Sequence, residues 1–507
     1  MKIAIIGTGL SSYGSIKAMI DKKIKPYVFD IGLEEDRIIK KLKKQLGSKN
    51  PNKWSKNELS IMESFSKTNN TKPRKYFFGS NYIYKFFSKT KESLTFTNAL
   101  GGFGNIWSAS ALVPQESDLN DWPKKCIPSH KDYLKVCENL PYSAYNDSIS
   151  KKFKHPKQVI EARINYPEKI HRLKNKLDKV NDKDFLTGYA RNFVEARNSA
   201  KNKCRYCGFC NTGCAYNSIF NPRDEVIKLS KNGKIFLKTN LKLEKFEVYM
   251  KKILLTFMHS NKKKKITFDK VFLASGAVNT TKIIVNSLDL YEREHTLKHA
   301  TFVVIPSFNF SKNKFDWPNS NTLASIFIEF KTKLIRKWSH CQVNEPNEII
   351  MSYLKYFKLN KFFRPVFNFI LSKILIVMVQ LHSKYGGIYK IKFNRDGKIE
   401  TKHHLINHKL YADNLFTTLR NKLAKINIYM PTSLIKYGYD NDNFYIGGSF
   451  PFSVRSSKMH TDINGSLKNF KNIHIVDSTT FPSIPGTSFG ILLMANSYRI
   501  ANKVLKK

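Results

Sequence analysis

The first thirty residues alternate between short apolar runs and polar segments. Residues 2–6 form an apolar run rich in isoleucine, which is typical of a buried parallel strand. A Gly7-Thr8-Gly9 turn follows, then residues 10–20 with the composition of a helix, and then a second apolar run that ends at Asp30. The pattern predicts a strand–turn–helix–strand unit with an acid after its second strand.

The turn of this unit has the residue types that a bound pyrophosphate requires. Gly7 permits a tight turn, Gly9 leaves room for a phosphate beside the backbone, and the helix N-terminus offers free N–H groups. Asp30 lies about 20 residues further on, where a carboxylate can accept hydrogen bonds from a ribose diol. Ser12 stands where the G-x-G-x-x-G pattern usually has its third glycine. The sequence therefore predicts a dinucleotide site, in preference to an ordinary strand-to-helix turn.

Two later segments also place small residues beside apolar runs. Gly101, Gly102 and Gly104 cluster before an apolar stretch, which indicates either a backbone that passes close to a flat ligand or a plain flexible loop. Beside a dinucleotide motif, we expect contact with a cofactor. Residues 272–284 predict a strand, a small-residue turn and a helix, so a ligand could approach the carboxyl end of that strand.

The C-terminal section is dense in turns and short apolar runs. Residues 444–451 form a glycine turn among apolar residues, and residues 472–478 predict a strand that ends on an acid and a hydroxyl. Residues 481–488 form a rigid loop of proline and glycine, and residues 489–505 predict a helix from apolar positions at three- and four-residue steps. This section predicts a strand, a rigid loop and a closing helix.

The central part of the chain predicts antiparallel strands. Residues 233–257 alternate in polarity and lead through a lysine-rich tip at residues 261–265 to residues 266–272, as in a hairpin or three-stranded meander. A helical run is expected at residues 182–198. Further short strands are expected at residues 301–304, 325–330 and 388–393.

Length, composition and charge narrow the class of protein. A chain of 507 residues can bury a large core and is expected to form two domains. Its 41% apolar and 13% aromatic residues exclude a mainly disordered protein. The formal net charge of +48 suggests nucleic acid or anionic lipid as a partner, but the lysines are spread along the whole chain. No nucleic-acid-binding motif is present, so no nucleic-acid partner is expected.

Two features bear on location. The first apolar run is short and leads straight into the glycine turn, so no signal peptide is predicted and a cytoplasmic location is expected. Residues 352–381 mix lysines with aromatic and aliphatic residues, and their uncharged part, residues 374–381, is too short to span a bilayer. Two interpretations stay open: peripheral contact with the inner face of a membrane, or amphipathic helices packed on a domain.

Four of the seven cysteines are clustered. Cys204, Cys207, Cys210 and Cys214 have the spacing C-x2-C-x2-C-x3-C, which can hold an iron–sulfur cluster. A single cluster would need a ligand from elsewhere, and Ala215 replaces the proline that usually follows. Zinc fits the number of thiols, but the spacers are cramped for it. Short spacers predict thiols that lie close together, and we expect a compact loop of buried thiols without a metal.

Four segments together resemble the glucose–methanol–choline (GMC) family of flavoprotein oxidoreductases: residues 7–30, 100–105, 273–287 and 444–501. They follow one another in the order that the family has them. The resemblance implies an α/β fold with a Rossmann-like FAD-binding domain, discontinuous in sequence, and a second α+β substrate domain built on an antiparallel sheet. The FAD-binding domain is then expected at residues 1–115, 200–300 and 440–507, and the substrate domain at residues 116–199 and 301–439.

The resemblance also implies a cofactor and a reaction. The cofactor is FAD, and the reaction is oxidation of a CH–OH group of a sugar, alcohol or lipid by hydride transfer to flavin N5. The sequence does not identify the electron acceptor. Carried onto this chain, the expected FAD contacts are Gly7, Gly9 and Ser12 at the pyrophosphate, Asp30 at the ribose, Leu243 at the adenine, Ser275 and Gly276 at the nucleotide, Gly101, Gly102 and Asn105 beside the flavin, and Asp477, Ser478 and Ser488 at the ribityl chain and ring.

The chain departs from the family's pattern at the catalytic position. The family usually has a histidine just before the Gly-Gly turn, where this chain has Phe444 and Tyr445, and the second catalytic position falls near Ser488. Alcohol oxidation needs a group that takes the hydroxyl proton. Tyr445 could do so only with a strongly lowered pKa, and Ser488 could only orient the substrate. Tyr445 and Ser488 are the catalytic candidates, and the alternative is a flavin-binding protein without alcohol turnover that serves as a membrane-associated or partner-binding subunit.

Overall fold

The computed structural model describes residues 1–34, 37–59, 61, 83–87, 93–211, 213–311, 320–353, 362–437 and 444–505. In these residues the strands are β1 Ile3–Ile6, β2 Tyr27–Phe29, β3 Ile83–Phe87, β4 Ser93–Thr97, β5 Phe185–Tyr189, β6 Phe236–Lys238, β7 Lys242–Tyr249, β8 Lys252–His259, β9 Lys262–Phe268, β10 Lys270–Leu273, β11 Glu294–His299, β12 Phe302–Asn309, β13 Ile326–Phe330, β14 Ser339–Asn344, β15 Ile374–Gln380, β16 Gly387–Phe393, β17 Ile399–Leu405, β18 Ile428–Tyr429, β19 Lys436–Tyr437, β20 Ile446–Gly447 and β21 Ile473–Ile475. The α-helices are α1 Leu10–Asp21, α2 Arg37–Gly47, α3 His130–Cys137, α4 Glu168–Asp178, α5 Pro222–Lys231, α6 Ala277–Leu288, α7 Glu348–Tyr353, α8 Arg364–Lys373, α9 His408–Ala424 and α10 Phe489–Val504.

A five-stranded parallel sheet holds the N-terminal unit. Its strand order is β21-β10-β1-β2-β6, and every neighbouring pair is parallel. All four residues of β1 are buried, because both faces of the sheet are covered. Ile3 and Ile5 pack in one core with α1 and α10, whereas Ala4 and Ile6 pack in another with the antiparallel meander β7–β9 and with α6. The continuous apolar run of β1 thus reflects a strand with two buried faces.

A seven-stranded antiparallel sheet forms the second part. Its order is β18-β12-β15-β14-β13-β5, with β19 paired to β12. Strand β12 alternates between the two faces: Val303 and Ile305 belong to a core that includes α4 and α9 residues, whereas Phe302 and Val304 line a large cavity. The predicted α/β fold class, with a parallel sheet and a second part built on an antiparallel sheet, is confirmed.

The sheets take their strands from different stretches of the chain. Every strand of the parallel sheet falls in residues 1–115, 200–300 or 440–507. The strands of the seven-stranded sheet all fall in residues 116–199 and 301–439. A separate four-stranded antiparallel sheet, β17-β16-β11-β20, takes strands from both sets. The domain boundaries drawn from the sequence therefore cut through this sheet.

Three local expectations were wrong. The helix expected at residues 182–198 is absent: residues 185–189 are strand β5, whose distant pairing with β13 leaves no local trace in the sequence, and residues 190–198 are irregular. The lysines at residues 262–265 were expected at the tip of a hairpin. They lie in strand β9 instead, because Ser260 and Asn261 have positive φ and make the turn. The run at residues 374–381, one of the membrane or helix candidates, is strand β15. Residues 354–361 of that candidate lie outside the described residues.

Helices α1 and α10 pack with their backbones in contact. The Oγ atoms of Ser15 and Ser497 lie 2.6 Å apart, and a Cβ atom on Gly14 would overlap the carbonyl oxygen of Met494. Only glycine fits at this crossing, because any side chain would separate the two helices. The helices flank β1 on one side, so their approach fixes the position of the turn at Gly7.

We expect Gly14→Ala to destabilise the protein. In an open helix the same change stabilises by about 1 kcal/mol, whereas overpacking a tight contact costs about 1–3 kcal/mol. The free energy of unfolding from denaturant titration should therefore fall. Gly397→Ala is the control, because its Cβ would meet no atom within 4 Å and only its φ of +85° carries a cost. A Gly14→Ala protein as stable as the native one would contradict the contact.

Candidate functional site

A cavity of about 910 Å³ lies between the parallel sheet and the seven-stranded sheet. This volume is at the upper end of the range of about 300–1,000 Å³ for ligand pockets. Residues that follow β1, β2 and β10 line one end of the cavity, and one face of the antiparallel sheet lines the other. Ligands of open α/β sheets bind at the carboxyl ends of the strands, which is the position of the first end.

Three helix N-termini line this cavity. Its wall includes Leu10 of α1, Ala277 of α6 and Phe489 of α10, each the first residue of its helix. The N-cap residues are Gly9, Gly276 and Ser488. None of them makes a side-chain hydrogen bond to the N–H groups of its helix. First-turn N–H groups and the helix dipoles therefore create positive potential in the cavity, which favours an anionic ligand.

The glycines of the first turn lie where the sequence predicts. Gly7 has a φ of +108°, and a Cβ atom there would overlap the carbonyl oxygen of Ala274, so the turn excludes other residues. Its N–H donates to the carbonyl of Phe29 at 2.7 Å. Gly9 is the N-cap of α1 and lines the cavity. Ser12 does not: it is fully buried, and its hydroxyl has no hydrogen-bond partner among the described residues.

Asp30 lines the same end and is held by two donors. The Thr8 hydroxyl donates to its Oδ2 at 2.6 Å, and the N–H of Gly32 donates to its Oδ1 at 2.6 Å. Thr8 also accepts a hydrogen bond from the N–H of Gly101 at 2.8 Å. Burial raises the pKa of Asp30 to about 6, although these hydrogen bonds oppose the rise. Sequence reasoning missed Thr8, whose place inside the G-x-G turn was the available signal.

The glycine loop reaches the cavity through Gly102. A Cβ atom on Gly102 would lie 3.7 Å from the Cα of Gly9, so this loop covers the first turn. Gly101 does not line the cavity, because it packs against Arg223 at the start of α5. Asn105 does not line it either: its Nδ2 donates to the carbonyls of Leu100 and Gly102 and braces the loop from behind. Gly101 and Asn105 thus shape the site without facing it.

Asp477 joins two segments at the end of the cavity where the parallel strands stop. Its Oδ2 accepts from the N–H of Gly276 at 2.9 Å and from the Thr280 hydroxyl at 2.6 Å, and its Oδ1 accepts from the N–H of Thr479. Burial raises the pKa of Asp477. Ser275 and Gly276 line the cavity, and a Cβ atom on Gly276 would meet open space. Asp477 therefore fixes the start of α6 beside the cavity.

Leu243 lines the cavity beside charged neighbours. It lies on β7 and is buried, and Lys242, Glu244 and Lys282 line the cavity near it. Burial lowers the pKa of Lys282, and the positive charge of Lys242 lowers it further. Glu244 opposes that fall and lies 3.8 Å from Lys242, so this end of the cavity carries charges of both signs.

The two catalytic candidates differ in position. Tyr445 lines the cavity and stacks on Phe489 with ring centroids 4.9 Å apart. Burial raises its pKa, opposed by a hydrogen bond with Gln380, so the phenol is protonated at neutral pH and cannot be a general base. Ser488 does not line the cavity, since its Oγ bonds Ser110 Oγ at 2.7 Å and accepts from the N–H of Leu112. Ser478 does line it, and its hydroxyl donates to Ile446.

Carboxamides and apolar side chains form the other end of the cavity. The apolar part includes Phe302, Val304 and Met378, which face inward from the antiparallel sheet. The carboxamides come from separated parts of the chain: Asn211, Gln342, Asn344, Asn347 and Gln380. Sequence reasoning missed all of them, because single amides on unrelated strands and loops have no pattern. Among the described residues, no histidine lines the cavity.

A buried histidine stands behind one of these carboxamides. His340 Nδ1 lies 2.5 Å from Glu329 Oε1 across the β13–β14 pair, and its Nε2 lies 3.1 Å from the Nε2 of Gln342. His340 and Glu329 are fully buried, whereas Gln342 reaches the cavity. Burial raises the pKa of Glu329, and the partner His340 opposes that rise. The pair holds the Gln342 side chain in position.

The cysteine loop lies next to this end. Burial raises the pKa of Cys207, and the neighbouring Cys210, Cys214 and Cys204 raise it further, which requires thiols that are close together. The loop is tied to α7, because the N–H of Asn211 donates to a carboxylate oxygen of Glu348 at 2.6 Å.

The sequence predicts a cysteine loop without a metal, with an iron–sulfur cluster or zinc as the alternatives. Within the ranges given above, no group of three or more histidine, cysteine, aspartate or glutamate side chains is placed to hold a metal ion. Thr212, inside the cysteine loop, lies outside those ranges. The expectation of a loop without a metal, and the iron–sulfur and zinc alternatives to it, stay predictions.

The sheets and the shared cavity define a mixed α/β fold with one parallel sheet and separate antiparallel sheets. Over its whole length the chain is similar to the crystal structure of pyridoxine 4-oxidase from Mesorbium loti, with a TM-score of 0.62. The match covers 99% of this chain and 98% of that chain, at 9% sequence identity, so the likeness is one of fold. No protein-family model matches the chain, and no curated protein matches it.

Asp30 should make stability depend on pH. Its pKa rises from 3.8 to about 6 on folding, so the folded state holds the proton more tightly than the unfolded state. The stability difference between native protein and Asp30→Asn should fall as pH rises from about 4 to 6 and stay constant above it. Denaturant titrations across this range measure the difference. Asp396→Asn should show no such fall, because Lys398 lowers the pKa of that exposed carboxylate. A flat difference for Asp30→Asn would contradict a buried carboxylate.

Proposed function

We propose that the protein is an FAD-dependent oxidoreductase that acts on the CH–OH group of a sugar, alcohol or lipid. One observation carries the proposal: a single cavity joins the N-termini of α1 and α6 and Asp30 at one end to an apolar sheet face with carboxamides at the other. The first end suits a dinucleotide and the second suits an uncharged molecule with a hydroxyl group. The likeness of fold to pyridoxine 4-oxidase supports the same reading.

The nucleotide end fits FAD in its donor and acceptor groups. The N–H groups at the start of α1 would hold the pyrophosphate, with Gly9 and Gly102 leaving the space. Asp30 would accept from the ribose hydroxyls, and Leu243 would contact the adenine. FAD, when bound, supplies a ring that accepts a hydride from a carbon bearing a hydroxyl.

The substrate end would exclude water and orient the hydroxyl. The inward side chains of Phe302, Val304 and Met378 remove water from the reacting carbon. Gln380 lines this end of the cavity, and a hydrogen bond joins its side chain to Tyr445. Tyr445 is protonated and could donate a hydrogen bond to the substrate oxygen.

One observation favours the alternative function. Neither a histidine nor a phenol of low pKa is available to accept the hydroxyl proton among the described residues that line the cavity. A flavin-binding protein without alcohol turnover, acting as a membrane-associated or partner-binding subunit, would need no such group. The two functions share the cofactor and differ in whether a substrate reduces it.

We expect purified protein to be yellow and to contain FAD. Asp30→Ala should weaken FAD binding by about 10- to 150-fold, because one charge-assisted hydrogen bond contributes about 1.5–3 kcal/mol. Fluorescence titration of the apoprotein with FAD measures the change. Asp396→Ala, on an exposed hairpin, should leave the affinity unchanged. Colourless protein that does not take up added FAD would contradict the proposal.

Anaerobic reduction by a panel of alcohols, sugars and lipid alcohols separates the two functions. For an enzyme, at least one compound should bleach the flavin absorbance, whereas the alternative predicts no bleaching by any of them. With a compound that bleaches, Tyr445→Phe should keep the rate within about tenfold, because removal of a general base costs about 10²–10⁴-fold. A decrease of more than 100-fold in the rate of flavin reduction would indicate that Tyr445 is the general base.

A further inference from the structure

Helix α8 turns large apolar side chains toward solvent. Four residues on or just before it, Phe362, Phe363, Val366 and Phe369, are between 54% and 80% exposed, and Ile370 is 47% exposed. Soluble proteins rarely expose contiguous apolar patches of this kind without a partner. The inner side of the helix is buried through Leu371 and Ser372, so the helix is anchored while its aromatic side stays outside.

The end of strand β12 extends this surface. Phe310 is 66% exposed, and Lys373 Nζ donates to the carbonyl of the next residue, Ser311, at 2.7 Å. The same ammonium lies 5.1 Å from the ring centroid of Phe369. Phe310 and α8 are therefore neighbours. We call the surface formed by Phe310, Phe362, Phe363, Val366, Phe369 and Ile370 the aromatic face.

Positive charge borders the aromatic face. Lys176 Nζ donates to the Ser311 hydroxyl at 2.6 Å, so two lysines meet at the residue after Phe310. Residues 349–395 contain no aspartate or glutamate, and the chain carries a formal net charge of +48. A groove of about 620 Å³, lined by Lys176, Phe310 and Tyr429 among others, opens beside the lysines. Apolar anchors beside lysines match the boundary between acyl chains and anionic headgroups.

The strands that border the aromatic face also reach the large cavity. Helix α8 leads directly into β15, whose Ile376 and Met378 line the cavity, and Pro306 of β12 lines it next to them. The strands that end at the aromatic face thus form the cavity wall. A molecule dissolved in a lipid layer beneath this face would be close to the apolar end of the cavity.

We propose that the aromatic face docks the protein on an anionic lipid surface. A second copy of this chain is a poorer occupant, since two chains of charge +48 repel each other, whereas an anionic membrane attracts both the lysines and the whole molecule. The proposal does not depend on the flavin chemistry, because the surface is separate from the cavity. No helix of the described ranges could cross a membrane, so the contact is peripheral.

Vesicle co-sedimentation of the full chain tests the proposal. The probes are phosphatidylcholine vesicles with and without phosphatidylglycerol, at low and high salt. The native protein should bind the vesicles with phosphatidylglycerol, and high salt should weaken that binding. The double variant Phe362→Ser, Phe369→Ser should bind about tenfold more weakly or worse, because two large apolar anchors are lost.

The control variant is Met250→Ser, Val454→Ser, which removes apolar residues that are 78% and 84% exposed elsewhere. It should bind as the native protein does. Equal binding to both vesicle types, no binding at all, or an equal loss in both variants would overturn the proposal. A dimer seen in sedimentation velocity for the native protein but not for the phenylalanine variant would also overturn the proposal, because the aromatic face would then bind a second copy of the chain. All substitutions are at exposed sites, and equal thermal midpoints would confirm that each variant folds.

Discussion

The structure depends on a close approach of backbones around helix α1. Gly7 excludes a Cβ because it meets Ala274, Gly14 excludes one because it meets Met494, and Gly9 faces the glycine loop. Each contact brings a different part of the chain against the first turn. The carboxyl ends of β1, β2 and β10 and the starts of α1, α6 and α10 thereby meet in one cavity, which no single segment could form.

Two buried carboxylates then have different tasks at that cavity. Asp477 receives three donors from its own chain, so its charge is used to fix helix α6. Asp30 receives two, and burial raises its pKa to about 6, so a further donor would stabilise its ionised form. A ligand with hydroxyl groups is such a donor.

Part of the fold and of the candidate site could be predicted from local sequence patterns. The turn at Gly7, the acid at Asp30 and the α/β class follow from residues adjacent in sequence, whose periodicity is read directly. Ser12 and Ser488 were assigned by spacing alone, and both face the interior, because the side on which a helix packs is decided by distant partners. The carboxamides of the far end depend on the register of β14 against β15, which no local pattern specifies.

The Glu329–His340 pair gives the carboxamide end a fixed polarity. In the tautomer that has its proton on Nδ1, His340 donates to Glu329 and its Nε2 is an acceptor. The amide N–H of Gln342 must then donate to Nε2, and its amide oxygen remains to accept from a molecule in the cavity. An acceptor at this position favours a ligand that donates a hydrogen bond, as a hydroxyl group does.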